Sequence, residues 1–251
     1  MNRIFVLDGI FVFCGTLDDA APHAHQALQA CFGVDGPVEL RAASGGRFRH
    51  WRSARVAPNA PHELRGRGRR LALVYLDALH RRCPALAPEE APAIAPLADP
   101  APAVLERLWN ARTGAEAQVA AAAALGLPDL GPDRRALDPR VRRVAELLER
   151  ACPESVSVPH LAAVVALSPS RLGHLFARDV GVTIPRFRLW LRLKAAAAAI
   201  RTGASMTELA YASGFADSAH FTRTVRAMFG IRPSDLVARS EFVQASPPLR
   251  S

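Results

Sequence analysis

Residues 206–233 read Met206-Thr207-Glu208-Leu209-Ala210, then Gly214-Phe215-Ala216-Asp217-Ser218, then Phe221, Arg223, Thr224-Val225, and finally Phe229-Gly230 and Pro233. About fifty residues earlier the same paragraph stands in altered form. It runs Val158-Pro159-His160-Leu161-Ala162, then Leu167-Ser168-Pro169-Ser170-Arg171-Leu172, then Leu175-Phe176, Gly181 and Pro185. Leu161 maps to Leu209 and Ser170 to Ser218 at an offset of 48, while Leu172 to Phe221 and Gly181 to Gly230 fall at 49. One residue has therefore entered within the second helix of the later copy. A short helix, a tight turn and a second helix, given twice, describe two helix-turn-helix units.

Local signals support the repeat. Asp138-Pro139 is an N-cap followed by proline at the first helical position, opening a helix over 139–151 with Val141, Val144, Leu147 and Leu148 inward. Ser157 caps the next helix, and Ser168-Pro169 opens another that runs to Val180 and stops at Gly181. A long helix over 184–202, with its alanines at 195–199, joins the copies and ends at Gly203. The second unit is expected at 206–213 and 217–229, with a short helix from Pro233. Leu161, Ala162, Leu172, Leu175, Phe176, Leu209, Ala210, Phe215 and Phe221 read as core.

Charge follows the repeat. The chain carries a formal net charge of +9, and residues 138–251 hold 16 Lys+Arg against 9 Asp+Glu. Excess positive charge on the helical part suits a domain that neutralises phosphates. Lys194 is the only lysine among the 32 basic residues, so the arginine preference reflects composition and carries no recognition signal by itself.

The second copy resembles the AraC/XylS family of bacterial transcription regulators through Ala210, Gly214-Phe215, Ser218, Phe221, Arg223, Phe229-Gly230 and Pro233. The linking helix, with Arg192-Leu193 followed by Ala196, matches as well, so the resemblance covers residues 140–239. Val225 stands where the family usually has an aromatic residue, and Ser234-Asp235-Leu236 lacks the usual Tyr-Arg pair. In a helix-turn-helix the early residues of the second helix face base edges in the major groove. That face offers Ser170, Arg171 and His174 in the first unit and Ser218, His220, Thr222 and Arg223 in the second. Arg223 can donate bidentately to guanine. Gly173 sits where a base-contacting side chain often stands, so the first unit contributes less direct readout. Arg188, Arg192 and Arg226 read as phosphate contacts or core-edge ion pairs.

Residues 1–76 read as β, with strands near 2–7, 10–14, 25–32, 37–42, 51–57 and 70–76 separated by Gly-rich turns, which favours a barrel or sandwich. His23-Ala24-His25, Gln29 four residues further on, and a later His62 resemble the H-x-H-x₃-E and distant His of the cupin barrel, with Gln29 in place of the glutamate. On one strand His23, His25 and Gln29 would share a face. Three imidazoles and an amide oxygen would suit Zn, Ni, Fe or Mn; the alternative is a ligand pocket or barrel rim without metal. Phe48, Trp51, Arg47, Arg49 and Arg52 read as a solvated edge strand. Residues 84–102 read as a proline-rich connector, and helices near 101–111 and 114–125 follow, whose apolar faces suggest a dimer interface.

The resulting expectation is an α+β chain of several domains. A cupin-like β-barrel with two helices occupies 1–126, a linker 127–137, an all-α domain of two helix-turn-helix units joined by a long helix 138–240, and a tail 241–251. Such a chain would bind double-stranded DNA, work with RNA polymerase as an activator, respond to a small molecule or divalent metal, and form a homodimer. The competing class is a metal-dependent cupin enzyme fused to a DNA-binding domain. No GxGxxG, GxxxxGK[ST] or GxSxG motif is present. The apolar start, broken at Asp8-Gly9, predicts no secretory leader, and no apolar run predicts a membrane span. Cys14, Cys31, Cys83 and Cys152, without CxxC spacing, read as free thiols of a reducing cytoplasm.

Overall fold

The computed structural model describes residues 1–7, 9–77, 79–80, 82–86, 91–131, 137–200 and 204–244. Gly203, residues 132–136 of the linker and the tail from 245 lie outside the described residues. The chain divides into two compact units, one of residues 1–134 with 222–251, the other of residues 135–221. Among the described residues, 222–244 therefore belong with the sheets.

In the first unit, strands β1 (Asn2–Leu7), β2 (Ile10–Thr16), β4 (Leu28–Gly33), β7 (Ser53–Val56), β9 (Arg70–Leu76), β10 (Ile94–Pro96) and β11 (Ser240–Gln244) form a seven-stranded sheet ordered β10-β7-β4-β9-β2-β1-β11. Strands β3 (Asp19–His23), β8 (His62–Arg65), β5 (Val38–Ala42) and β6 (Arg49–Trp51) form a second sheet ordered β3-β8-β5-β6. All pairings are antiparallel except that of β11 with β1, which is parallel and runs from Asn2↔Ser240 to Val6↔Gln244.

Alternation along the strands assigns the two faces of the larger sheet. Phe5, Ile10, Val12, Leu28, Phe32, Val74 and Leu76 turn to one side, beneath α2 (Pro102–Asn110) and α3 (Gly114–Ala124). Gln29, Cys31 and Tyr75 turn to the other, toward the smaller sheet. Helix α3 begins in a capping box, with Thr113 Oγ1 accepting from Glu116 N at 3.2 Å. Its small side chains, Ala117, Ala120, Ala121 and Ala124, let it lie close on the sheet. Arg3, buried in β1, donates from Nη1 to Ala111 O at 2.7 Å and from Nη2 to Trp109 O, so its cation satisfies orphan carbonyls at the end of α2.

Three expectations need correcting here. Part of the apolar surface of 101–125 is spent inside the unit: Leu105 and Leu108 are buried with the sheet, so those two side chains supply no dimer surface. The segment 84–102 is less irregular than its prolines suggest, because Cys83–Leu86 forms a helical turn, α1, and β10 adds an edge strand. His25 lies in the connection between β3 and β4 and not on a strand shared with His23. Edge strand β6, with exposed Arg49 and flanking exposed Arg47 and Arg52, matches its reading.

The second unit holds α4 (Pro139–Ala151), α5 (Val158–Val164), α6 (Pro169–Val180), α7 (Ile184–Ala199) and α8 (Met206–Ala212), and the start of α9 (Ser218–Phe229). Each cap read from the sequence forms. Asp138 Oδ1 accepts from Arg140 N at 2.9 Å, Ser157 Oγ from His160 N at 3.3 Å, and Ser168 Oγ from Arg171 N at 3.3 Å. Ser205 and Glu208 close a capping box on α8, and Asp217 Oδ1 accepts from His220 N at 2.5 Å at the head of α9. Leu161, Leu172, Phe176, Phe187 and Trp190 fill the core of the first copy, whose Phe176 and Phe187 rings meet edge to face at 5.5 Å; Leu175 is half-buried.

The two turns repeat bond for bond. Leu167 N donates to Ala162 O at 2.9 Å and Phe215 N to Ala210 O at 2.9 Å, the long bond of a Schellman turn. The residue between must be left-handed: Gly214 has φ +76° and Ala166 has φ +53°. Alanine there costs about 1–2 kcal/mol. Ala166→Gly is therefore expected to stabilise the helical unit by about 0.5–1 kcal/mol after glycine's larger unfolded entropy is counted. Urea unfolding followed by helical circular dichroism checks this; an unchanged or lower midpoint refutes it.

Candidate functional site

Two sites emerge, one in each style of structure. The first is the pair of reading helices. Ser170, Arg171 and His174 are exposed along the first turns of α6. A Cβ built on Gly173 would meet nothing within 4 Å, so the face is indented there without a packing reason. On α9, Arg223 and Arg226 are exposed, while Ser218, His220 and Thr222 are half-buried. His220 packs edge-on against Phe215 at 5.3 Å, which ties its ring to the turn. Arg192 on α7 donates to Ser155 Oγ at 2.7 Å, and Arg188 is half-buried, its Nε and Nη2 without a protein partner. Val225, in place of an aromatic residue, is buried at 5% exposure and simply fills a smaller volume.

The second site is a histidine chamber between the two sheets of the first unit. His23 ends β3, His25 follows in the crossing to the other sheet, His62 opens β8, and Gln29 stands on β4. The strand-alternation argument for His23, His25 and Gln29 fails, yet the four side chains still meet, because the crossing folds His25 back between the sheets. The ring centroids of His23 and His62 are 4.1 Å apart and those of His25 and His62 5.3 Å; one ligand atom from each lies within 4.8 Å of the others. All four residues are buried.

The protons in this chamber can be counted. His23 Nδ1 lies 2.7 Å from Ala21 O, His25 Nδ1 2.9 Å from Ala27 O, and His62 Nδ1 2.9 Å from Ala60 O. A carbonyl only accepts, so every Nδ1 carries a hydrogen. Burial then keeps the rings neutral, and for His23 and His62 the repulsion a second charged imidazole would bring adds to it: His23 is lowered to about 4, His62 to about 2, and His25 is lowered by burial. Each Nε2 is consequently a lone pair. Those of His25 and His62 lie 2.7 and 3.1 Å from Gln29 Oε1, which is also a lone-pair atom. Two arrangements relieve that conflict. The amide turns over, so that its NH₂ donates to both rings and Cys31 faces its oxygen, or a cation sits among the four acceptors. The donor set fits a divalent metal: three imidazoles with fixed tautomers and one neutral oxygen.

Next to the cluster, Gln26 is 1% exposed and neither of its side-chain amide atoms has a protein partner. The sequence reading missed Gln26 and Tyr75, whose phenol is pushed up by burial and whose ring meets His25 edge-on at 5.2 Å. No local pattern marks either residue.

The two tandem units define the class: helix-turn-helix DNA-binding domains. Residues 161–239 match the helix-turn-helix domain family. The transcriptional activator RhrA of Rhizobium meliloti (strain 1021) is 35% identical over 85 residues, 33% of this chain and 27% of RhrA. The chain thus spans little more than a quarter of the curated relative it matches. Among solved structures, ToxT from Vibrio cholerae O395 superposes with a TM-score of 0.60 at 10% identity, covering 92% of this chain and 98% of ToxT. Unsaturated fatty acid bound wild-type ToxT from strain SCE256 gives 0.56 at 10% identity, with 92% and 94% covered. The likeness to ToxT concerns the fold: a sheet-rich N-terminal region and a helical C-terminal region. Among the described residues no helix is long and apolar enough to cross a membrane.

Proposed function

We propose that this protein is a sequence-specific DNA-binding transcription regulator of the AraC type whose sheet domain senses a ligand. The observation that carries the reading is the twice-built helix-turn-helix, with equal turns, capped reading helices and an exposed polar face on each. Ser218, His220, Thr222 and Arg223 read bases, Ser170, Arg171 and His174 add a weaker second contact, and Arg192 and Arg226 hold phosphates. The protein works in the cytoplasm as an activator that contacts RNA polymerase. A homodimer would use the outer row of α3, where Ala115, Val119 and Ala123 remain exposed. Arg223→Ala is expected to weaken specific binding by about 1–3 kcal/mol with the fold intact. Binding isotherms on DNA selected by the wild-type protein check it; equal affinity with unchanged circular dichroism removes Arg223 from the site.

The cupin-like chamber is the sensing site in this reading. Two occupants are consistent with its chemistry: a small polar molecule, supported by the partnerless amide of Gln26, or a divalent metal on His23, His25, His62 and Gln29, supported by ligand atoms of the three histidines that lie within 4.8 Å of one another. A metal there would supply a fixed positive charge that draws the rings and Gln29 together. We assign no turnover to it, since Gln29 stands where an anionic ligand would be and supplies a neutral one.

A further inference from the structure

Residues 21–25 do two jobs at once. They carry two of the three chamber imidazoles, and they hold the C-terminal end of α9. Ala21 N donates to Gly230 O at 2.9 Å and Ala24 N to Ala227 O at 3.2 Å, so the sheet segment satisfies carbonyls that the end of a helix leaves orphaned. The fit is close. A Cβ on Gly230, whose φ is +72°, would run into Ala21 O and come within 2.7 Å of His23 Nδ1. Phe229 lays its ring over His25 at 6.3 Å with a 28° tilt and meets Tyr75 edge-on at 5.9 Å, so it forms part of the chamber's wall. A second attachment follows α10 (Pro233–Arg239), where β11 pairs in parallel with β1, and Arg239 reaches Asp18 at 3.2 Å.

We propose that residues 21–25 are a latch on the end of α9, through which the state of the histidine chamber governs how freely the second recognition helix engages DNA. The inference rests on the DNA-binding reading above. Its physical basis is that any movement of His23 or His25 on occupation of the chamber is made within five residues of both amide donors. Helix α9 bears Ser218, His220, Thr222 and Arg223 on the same helix as Phe229. Coupling of two sites through one such element is reciprocal, and its usual size is about 5–150-fold in affinity.

The test fixes the latch covalently and reversibly. In the full chain with Cys152→Ser, the pair Ala24→Cys and Ala227→Cys places two thiols on the residues joined by the Ala24–Ala227 hydrogen bond of 3.2 Å. The remaining native thiols, Cys14, Cys31 and Cys83, are buried. DNA is selected from a random-sequence duplex pool by the reduced protein, and affinity is then compared in oxidised and reduced samples. The expected result is a disulfide seen by mass spectrometry, affinity about 5–150-fold weaker when oxidised, and full recovery in dithiothreitol. A disulfide with unchanged affinity overturns the latch and leaves the DNA-binding reading standing. Failure to form the bond in folded protein overturns the geometry of the latch. Failure of the reduced, folded protein to select any DNA overturns the DNA-binding reading, and the latch with it.

Discussion

Gly214→Ala is expected to destabilise the helical unit by about 2–5 kcal/mol and to abolish DNA binding at temperatures where the wild type binds. Two costs add. The residue holds φ +76°, where an L side chain pays about 1–2 kcal/mol. A methyl at that position would also lie 2.5 Å from Pro153 O and 3.1 Å from Arg192 Nε, so backbone must shift, a strain of about 1–3 kcal/mol. The turn cannot relax alone, because Phe215 N is bonded to Ala210 O and the Phe215 ring packs on Phe221 at 5.2 Å. The equivalent position in the first copy already tolerates Ala166, which makes the comparison informative. Urea unfolding followed at 222 nm should show opposite shifts for Gly214→Ala and Ala166→Gly. A Gly214→Ala midpoint equal to that of wild type would mean that the turn differs from the geometry described.

The difference between these two turns also shows which parts of the fold the sequence discloses. Helix-turn-helix units are encoded locally: Ser168-Pro169, Ser205 with Glu208, Asp217 and Gly214 each act on backbone within four residues, so a reader of the chain recovers caps, turn and period together. The sheets are encoded by pairing partners far away. Asp19–His23 neither alternates nor carries a β-branched residue, and it becomes a strand because β8 offers it a ladder. Strand β11 is farther still from legibility, since its partner β1 lies some 240 residues upstream and no turn chemistry links them. The helices at 102–110 and 114–124 were readable in extent but not in partner: an apolar face states that something covers it and does not say what.

The histidine chamber falls between these cases. Spacing alone brings His23, His25, Gln29 and His62 to attention, and the structure gathers the same four, but by a route that strand periodicity does not describe. The hydrogen-bond count on Nδ1 depends on carbonyls of Ala21, Ala27 and Ala60, residues with no side-chain signal. The latch is hidden for the same reason. It is made of alanine and glycine backbone, and only Phe229-Gly230 shows in the sequence, where the family resemblance already accounts for it.

Gln29 is the residue through which the chamber can be questioned most directly. It is 1% exposed and stands within hydrogen-bond distance of two imidazoles. Gln29→Leu leaves two buried Nε2 atoms without a partner and should cost about 2–4 kcal/mol of stability, a loss read from urea unfolding of the apo-protein in chelator. An unchanged midpoint would remove the amide from the network. Gln29→Glu acts in the opposite sense when a metal is present. In the apo-protein a carboxylate there is desolvated beside neutral rings and lowers stability. With Zn(II) it supplies the anionic ligand that the wild type lacks, and affinity should rise by about tenfold or more, since binding strength follows the charge of the ligand set. Zn(II) at 100 times its dissociation constant stabilises a folded protein by about 2.7 kcal/mol, so thermal unfolding with and without Zn(II) resolves the difference. Zn(II) stabilising Gln29→Glu more than wild type, and His62→Ala not at all, places the metal on these side chains. Equal and negligible shifts in all three proteins exclude a metal from the chamber and leave the turned-over Gln29 amide as what relieves the conflict of acceptors.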